Sequence, residues 1–291
     1  KRLQAALRED NLDYVVGQGI SQQEQGADVL DVNVGLPGID EPRMIARAVE
    51  ALQGATLLPL QIDSTNADAI EAGVRAYAGK PIINSVNGKQ EALDAVLPIA
   101  AHYGCNVIGL TLDEDGIPAT ASERVAIARR IIDEAARYGI GRERILIDCL
   151  VMTASTNQAQ VTEILRAVTL CRQELGVHCT LGVSNVSFGL PARELLNATF
   201  LAAAFGAGLD APIMNPGSQR YMDAVHSYRV LNAEDLGSVR FIERYAGWND
   251  PYKVPVNVAS TPTVPSSTAP ATSPNTAPSP ASATSAQGNG E

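Results

Sequence analysis

Aromatic residues are scarce in this chain, at 4% of 291 residues, and no apolar run reaches the roughly eighteen residues that a membrane-crossing helix needs. No charged-then-apolar leader with a small-residue cleavage site opens it either, so a soluble, cytoplasmic protein with no membrane association is expected. The four cysteines, Cys105, Cys149, Cys171 and Cys179, are scattered. None forms a CxxC pair or stands at zinc-ligand spacing with His102, His178 or His226, so no metal site and reduced, buried thiols are expected. A net charge of −10 argues against a nucleic-acid surface, because phosphate binding needs clustered Lys and Arg. Neither a Gly-rich phosphate loop nor a Gly-x-Ser-x-Gly elbow occurs. The histidines lie in or beside helical patterns, with His226 reading as a helix-face residue.

What is present is alternation. Short β-branched runs fall at 28–34, 57–63, 81–86, 106–112, 144–150, 179–184 and 210–215. Between them lie amphipathic helical patterns such as PRMIARAVEAL, QEALDAVLPIAAHYG, SERVAIARRIIDEAARYG and VTEILRAVTLCRQELG, several ending in the glycine of a helix C-cap. Near-continuous apolar strands alternating with helices predict an α/β protein with a parallel sheet, either doubly wound or a closed barrel. About seven strands are countable, and one more upstream would complete the eight of a (β/α)8 TIM barrel. From about Lys253 the composition changes to Pro, Ser, Thr and Ala, which cannot bury enough apolar area to offset chain entropy. We therefore expect a barrel over 1–250 and a linker or tail over 251–291.

Each strand run closes on an acid or an amide: Asp31 and Asn33, then Asp63, Asn84, Asp113, Asp148, Asn185 and Asn215. The carboxyl ends of parallel strands face one side of the molecule, so these side chains should converge there. Asp and Asn also cap helices and turns, and Asp113, followed by Glu-Asp-Gly, reads as that plain case. Asp31 and Asn33 share a face by the two-residue period. Asp63 should be free of capping if Ser64 or Thr65 caps the next helix. Acids and amides together suit a ligand rich in N–H donors, a guanine-like or pterin-like ring, better than a sugar phosphate.

The segments GADVLDVNVGLPGIDEP, LQIDSTNADAIEAG, PIINSVNGK, NVIGLTLDEDGIP, ILIDCLVMTAS and TLGVSNVSFGLP resemble the pterin-binding methyltransferases that move a methyl group between methyltetrahydrofolate and a corrinoid, over about Gly26 to Arg240. The resemblance implies a dihydropteroate-synthase-like TIM barrel whose first strand, carrying a Glu-Arg-x-Asn segment, is not in this sequence. It also implies a homodimer when the domain stands alone. Asp63, Asn84 and Asp148 would hold the pterin, helped by Asp31, Asn33 and Asn215. Asn185 would hydrogen-bond the methyl-bearing nitrogen, with Asp148 in the same network as the second catalytic residue. Tetrahydrofolate or 5-methyltetrahydrofolate would be the substrate. Cobalamin would come from a partner protein or a further domain, since neither an Asp-x-His-x-x-Gly corrinoid motif nor zinc-domain cysteines occur here.

Two rivals accompany that reading. Dihydropteroate synthase shares the fold, but it has Ser-Arg-Lys where this chain has Ser184, Asn185 and Val186. The other is a folate-binding module without turnover.

Overall fold

The structure, a computed structural model, describes residues 2–249. Chain contacts gather Lys1–Ala246 into one compact unit, and nearly all of the remainder, with the tail expected over 251–291, lies outside the described residues.

Two helices lead in, α1 (Arg2–Arg8) and α2 (Leu12–Glu24). Strand and helix then alternate: β1 (Leu30–Asn33), α3 (Glu41–Gln53), β2 (Leu60–Asp63), α4 (Ala67–Ala76), β3 (Ile82–Asn87), α5 (Gln90–Tyr103), β4 (Asn106–Leu110) and α6 (Ala121–Arg137). The second half continues with β5 (Ile145–Asp148), α7 (Gln158–Leu170), β6 (His178–Gly182), α8 (Arg193–Ala207), β7 (Ala211–Ile213), α9 (Gln219–Leu231) and α10 (Val239–Tyr245). The seven strands pair in sequence order, every pair parallel. All seven expected strands are thus present, each trimmed at one or both ends, while β3 also runs one residue further, to Asn87, and β6 begins one residue earlier, at His178. The run expected from Leu57 begins only at Leu60, because Leu57 is 99% exposed.

Local chemistry sets the helix starts. Asp40 caps α3 by accepting from the Arg43 N–H, and Thr120 and Glu123 form a reciprocal capping box on α6. The cap of α4 corrects the expectation for Ser64 or Thr65. Asn66 accepts from the Asp68 N–H there, while Ser64 donates to Glu41 at 2.6 Å. Gly104 ends α5 at φ 72, as its left-handed C-cap requires.

The core lies between sheet and helices, where Ile45, Leu60, Ile62, Ile70, Ile83, Leu97, Ile131 and Ile145 are almost fully enclosed. The opposite face of the sheet looks into the barrel lumen. Register places Asp31 beside Gln61 and Asn33 beside Asp63, which in turn lies beside Asn84. No pairing joins β7 to β1 among the described residues, so the barrel is open along that seam, as expected for a barrel without its eighth strand. A cleft of about 800 Å³ enters there, reaching Asp31, Gln61, Ile82, Leu146 and Thr180 in the lumen.

Helix α4 packs tightly on this wall. A Cβ at Gly73 would stand 2.9 Å from Cγ2 of Ile62 and 3.5 Å from Cγ1 of Ile45. Alanine gains about 1 kcal/mol of helix propensity over glycine, whereas overpacking a closed core costs about 1–3 kcal/mol. The branched Ile62 cannot swing aside, so the second effect should win. Gly73→Ala is expected to lower the urea midpoint, and an unchanged or raised midpoint would show that this wall can yield.

Candidate functional site

The strand carboxyl ends do converge. On the β1–β2 side the Asn33 amide donates to Asp63 at 2.9 Å, and its own oxygen accepts from the Gly35 N–H at 3.1 Å. One level below, Gln61 donates to Asp31 at 2.7 Å. Asn84, next along the same row from Asp63, is close enough to steady Asp31 as well. Four of the expected residues therefore form one connected group, joined by Gln61. The period that paired Asp31 with Asn33 also pairs Gln61 with Asp63, and so offered a signal for that residue.

Desolvation by the barrel wall, with repulsion from Asp63, raises the Asp31 carboxyl to about 6. Desolvation also raises Asp63, against the stabilising bond from Asn33. Asp31 still meets solvent at the open seam, which screens part of that repulsion.

Asp148 ends β5 across the lumen and is 8% exposed. Burial pushes its carboxyl up to about 6, opposed by the Leu150 N–H, which donates to Oδ1 at 2.7 Å, and by the charge of Arg124. The backbone oxygen of Asp148 accepts from both the N–H and the hydroxyl of Thr111, at 3.0 and 3.2 Å. Main chain on both sides thus anchors this acid.

Asn185 lies on the turn after the strand. The run expected to continue to 184 stops at Gly182, and Val183–Ser187 winds into a 3-10 turn. Among the described residues the Asn185 amide has no hydrogen-bond partner, and it lies half-buried above β6. Its turn is held from several directions. Val186 O accepts from the Ala154 N–H at 2.9 Å, and Phe188 O accepts from Thr153 and Ser155 hydroxyls at 2.8 and 2.9 Å. Arg193 donates to Ser187 Oγ and Ser184 O, both at 2.9 Å, and stacks over the exposed Phe188 ring.

The remaining candidates separate. Asn215 is exposed after β7, where its oxygen closes a turn by accepting from Gly217 N–H at 3.0 Å. Asp113 does the same for Asp115, as its sequence context suggested. His226 lies on α9, and burial lowers its pKa. His178 corrects the placement of the histidines beside helices: it opens β6 at the end away from the mouth and bonds Asp210 at 3.1 Å. All four cysteines are free and buried, yet they are not all scattered in space. Cys149, Cys171 and Cys179 meet behind β5 and β6, where thiol contacts and burial raise Cys149 well above the usual range. No helix among the described residues is long and apolar enough to cross a membrane.

Fold and site together define an α/β barrel whose mouth gathers acids and amides. A model of the family described as "Pterin binding enzyme" matches residues 2–215, and the chain belongs to that family. Among curated relatives it is 31% identical over 245 residues to a methylcorrinoid:tetrahydrofolate methyltransferase of Eubacterium limosum, covering 83% of this chain and 89% of that protein. It is 34% identical over 237 residues to the methionine synthase of Mycobacterium tuberculosis, covering 77% of this chain but only 20% of the much longer relative. Solved structures of dihydropteroate synthases share the fold. The enzyme of Yersinia pestis superposes with TM-score 0.63 at 18% identity, covering 77% of this chain and 90% of that one. That of Xanthomonas albilineans in complex with 7,8-dihydropteroate gives 0.60 at 23%, covering 77% and 86%. The dihydropteroate-synthase-like barrel expected from the sequence is borne out.

The raised pKa of Asp148 fixes a sign for stability against pH. The folded chain binds this proton more tightly than the unfolded chain, so stability falls as pH rises from about 4 through about 6. Asp148→Asn removes the buried charge and can still accept from Leu150. It is expected to stabilise the protein at pH 7.5 by up to about 3 kcal/mol and to flatten its unfolding free energy between pH 4 and 6. Equal pH slopes for both proteins in urea titrations would contradict this assignment.

Proposed function

We propose that this chain is a methyltransferase moving a methyl group between 5-methyltetrahydrofolate and the cobalt of a corrinoid carried by a partner protein or domain. The observation that carries the reading is the unpartnered Asn185 amide, set on a braced turn beside a lumen already lined by Asp31, Asn33, Asp63, Asn84 and Asp148. The similarity to relatives named for methyl transfer involving tetrahydrofolate or methionine synthesis supports it.

In this reading Asp63, Asn84 and Asp148 accept from the amino and ring N–H groups of the pterin, and Asn33 and Gln61 keep the acids aimed. A tertiary amine is a poor leaving group, so the methyl-bearing nitrogen must gain a proton before it can depart. Asn185 Oδ1 accepts a hydrogen bond from that protonated nitrogen, which stabilises it without itself ionising. The C–N electron pair stays on the nitrogen, leaving a neutral secondary amine. The proton comes from solvent or a relay in which Asp148 takes part. The corrinoid, when docked, supplies the two-electron nucleophile for the methyl group. The mouth is fitted to such a visitor by the exposed, Arg193-backed ring of Phe188 and by the open approach to Asn185.

We further read the protein as acting in the cytoplasm, with no nucleic-acid partner, and as forming a homodimer. Exposed Leu231, Leu236, Val239 and Ile242 near α9 and α10 give a second copy apolar surface to cover. Equilibrium sedimentation should then return twice the 30.6 kDa chain mass.

Asn185→Ala is expected to slow methyl transfer from 5-methyltetrahydrofolate to cob(I)alamin by about a hundredfold while changing folate affinity by about twofold or less. Asp63→Ala should instead act mainly on affinity, by about tenfold. Loss of cobalt(I) absorbance follows the first quantity and calorimetry the second. Equal turnover by wild type and Asn185→Ala would remove the amide's role, and wild-type binding without turnover would favour a folate-binding module. Dihydropteroate formation from p-aminobenzoate would identify the other rival.

A further inference from the structure

Among the described residues Arg124 is the largest fully buried side chain, and none of its hydrogen bonds there goes to a carboxylate. It rises from α6 and spends its guanidinium on the back of the loop that follows β5. Nη1 donates to the carbonyls of Cys149 and, at 3.0 Å, of Leu150, while Nη2 donates to Gln160 on α7 at 3.3 Å. Nε is buried without a partner. Enclosing a cation under such terms is costly, and two well-paired apolar residues would fill the space more cheaply.

What the cation holds explains its place. Leu150 has φ 58, a left-handed conformation unusual for a branched residue, and in it the Leu150 N–H points back to Asp148 Oδ1 at 2.7 Å. The carbonyls on either side of that N–H, those of Cys149 and Leu150, are the two that Arg124 grips. We propose that Arg124 is the positioning residue of Asp148: by clamping these two carbonyls it holds the Leu150 N–H against the carboxylate and aims the other oxygen into the lumen. The inference rests on the reading of Asp148 as a pterin-binding acid.

Charge supports the geometry. Among described groups only Arg124 acts on Asp148 through its charge, lowering the carboxyl against burial, and Arg124 in turn feels Cys149, Asp148 and Glu163. Glu163 faces it from α7 but is engaged by the Ala121 N–H at 2.7 Å, and Cys149 is a protonated thiol. The guanidinium therefore acts on Asp148 in two separable ways, by its charge and by its fork of donors.

Arg124→Met removes both and Arg124→Lys keeps only the charge, since an ammonium cannot reproduce the planar fork. The carboxyl carbon of Asp148, followed by NMR in the full chain, should titrate near 6 in wild type. Arg124→Met should raise that midpoint by about one unit and weaken 5-methyltetrahydrofolate binding at pH 7 by about tenfold. Arg124→Lys keeps the charge but loosens the Leu150 N–H, so it should raise the midpoint by less than Arg124→Met does and still weaken binding by about threefold to tenfold. A purely structural role would lower Tm in both variants and move neither readout. Should the Arg124 variants fail to fold, Gln160→Ala takes their place, since it frees one arm of the clamp from a half-buried position. It should weaken binding by about twofold to threefold. Affinity within the error of wild type in folded Arg124→Lys, or in Gln160→Ala, would overturn the clamp. A wild-type chain that binds no folate would instead overturn the reading of the site, and the NMR midpoint in Arg124→Lys would then decide the clamp by itself, a wild-type value overturning it.

Discussion

Parallel pairing in sequence order is the constraint on which the rest of this molecule depends. Each helix returns the chain to the start of the next strand, so every strand ends at the same mouth. Residues far apart in sequence, such as Asn33 and Asp148, can then serve one lumen without any loop designed to bring them together. The ladder also fixes their heights. Asn33, Asp63 and Asn84 are successive register partners in one row, and Asp148 pairs with Leu110 across the next. The same arrangement has an electrostatic consequence: carboxylates set in a lumen lose hydration, and Asp31, Asp63 and Asp148 all resist ionisation.

The lumen is divided by chemistry. Strands β1 to β3 turn Asp31, Asn33, Gln61, Asp63 and Asn84 inward, whereas Ile108 and Leu146 continue the row of Asn33, Asp63 and Asn84 onto β4 and β5, and Leu110 and Thr180, the latter spent on the Ala211 carbonyl, flank Asp148 in the row above. Asp148 stands at the top of the apolar side. A flat heterocycle with polar edges suits such a slot, since its faces can rest on aliphatic side chains while its N–H groups meet the acids. A phosphate would find carboxylates there instead of basic side chains. This division is what ties the family membership to a physical preference for one kind of ligand.

Much of this was legible in the sequence because the relevant signals are local. Alternating apolar runs gave the seven strands, and a polar residue at the close of each gave the mouth. The missed features depend on contacts between distant segments. Gln61 shares a face with Asp63 by the two-residue period, but its partner is known only when β2 is laid beside β1 and its amide donates to Asp31. Arg124 sits in an amphipathic helix where an arginine normally faces solvent, and only the packing of α6 against the β5 loop encloses it. Three cysteines spread over thirty-odd residues come together because β5, β6 and α7 are neighbours in space. Ser64, read as a possible helix cap, donates to Glu41 of another helix and accepts from the N–H of Asn66, which takes the cap itself. In each case local preference is weak and the neighbour decides.

In the proposed reaction an amide at position 185 also answers a problem set by its surroundings. A carboxylate there would accept a stronger hydrogen bond from a protonated amine, but it would be a fourth acid beside three that already resist ionisation, and it would tend to take the proton itself. Asn185 accepts through a neutral oxygen, so the proton stays on the amine that must leave. For this the oxygen has to be placed rather than merely available. The loop of Asp148 and the turn of Asn185 share the Ala154–Val186 bond and the two hydroxyl bonds onto Phe188 O. Any shift of one carries the other, so Asp148 and Asn185, the acid and the amide of the proposed reaction, keep a fixed separation. Placement of this kind is how the chain would contribute to the proposed reaction, through orientation and preset dipoles.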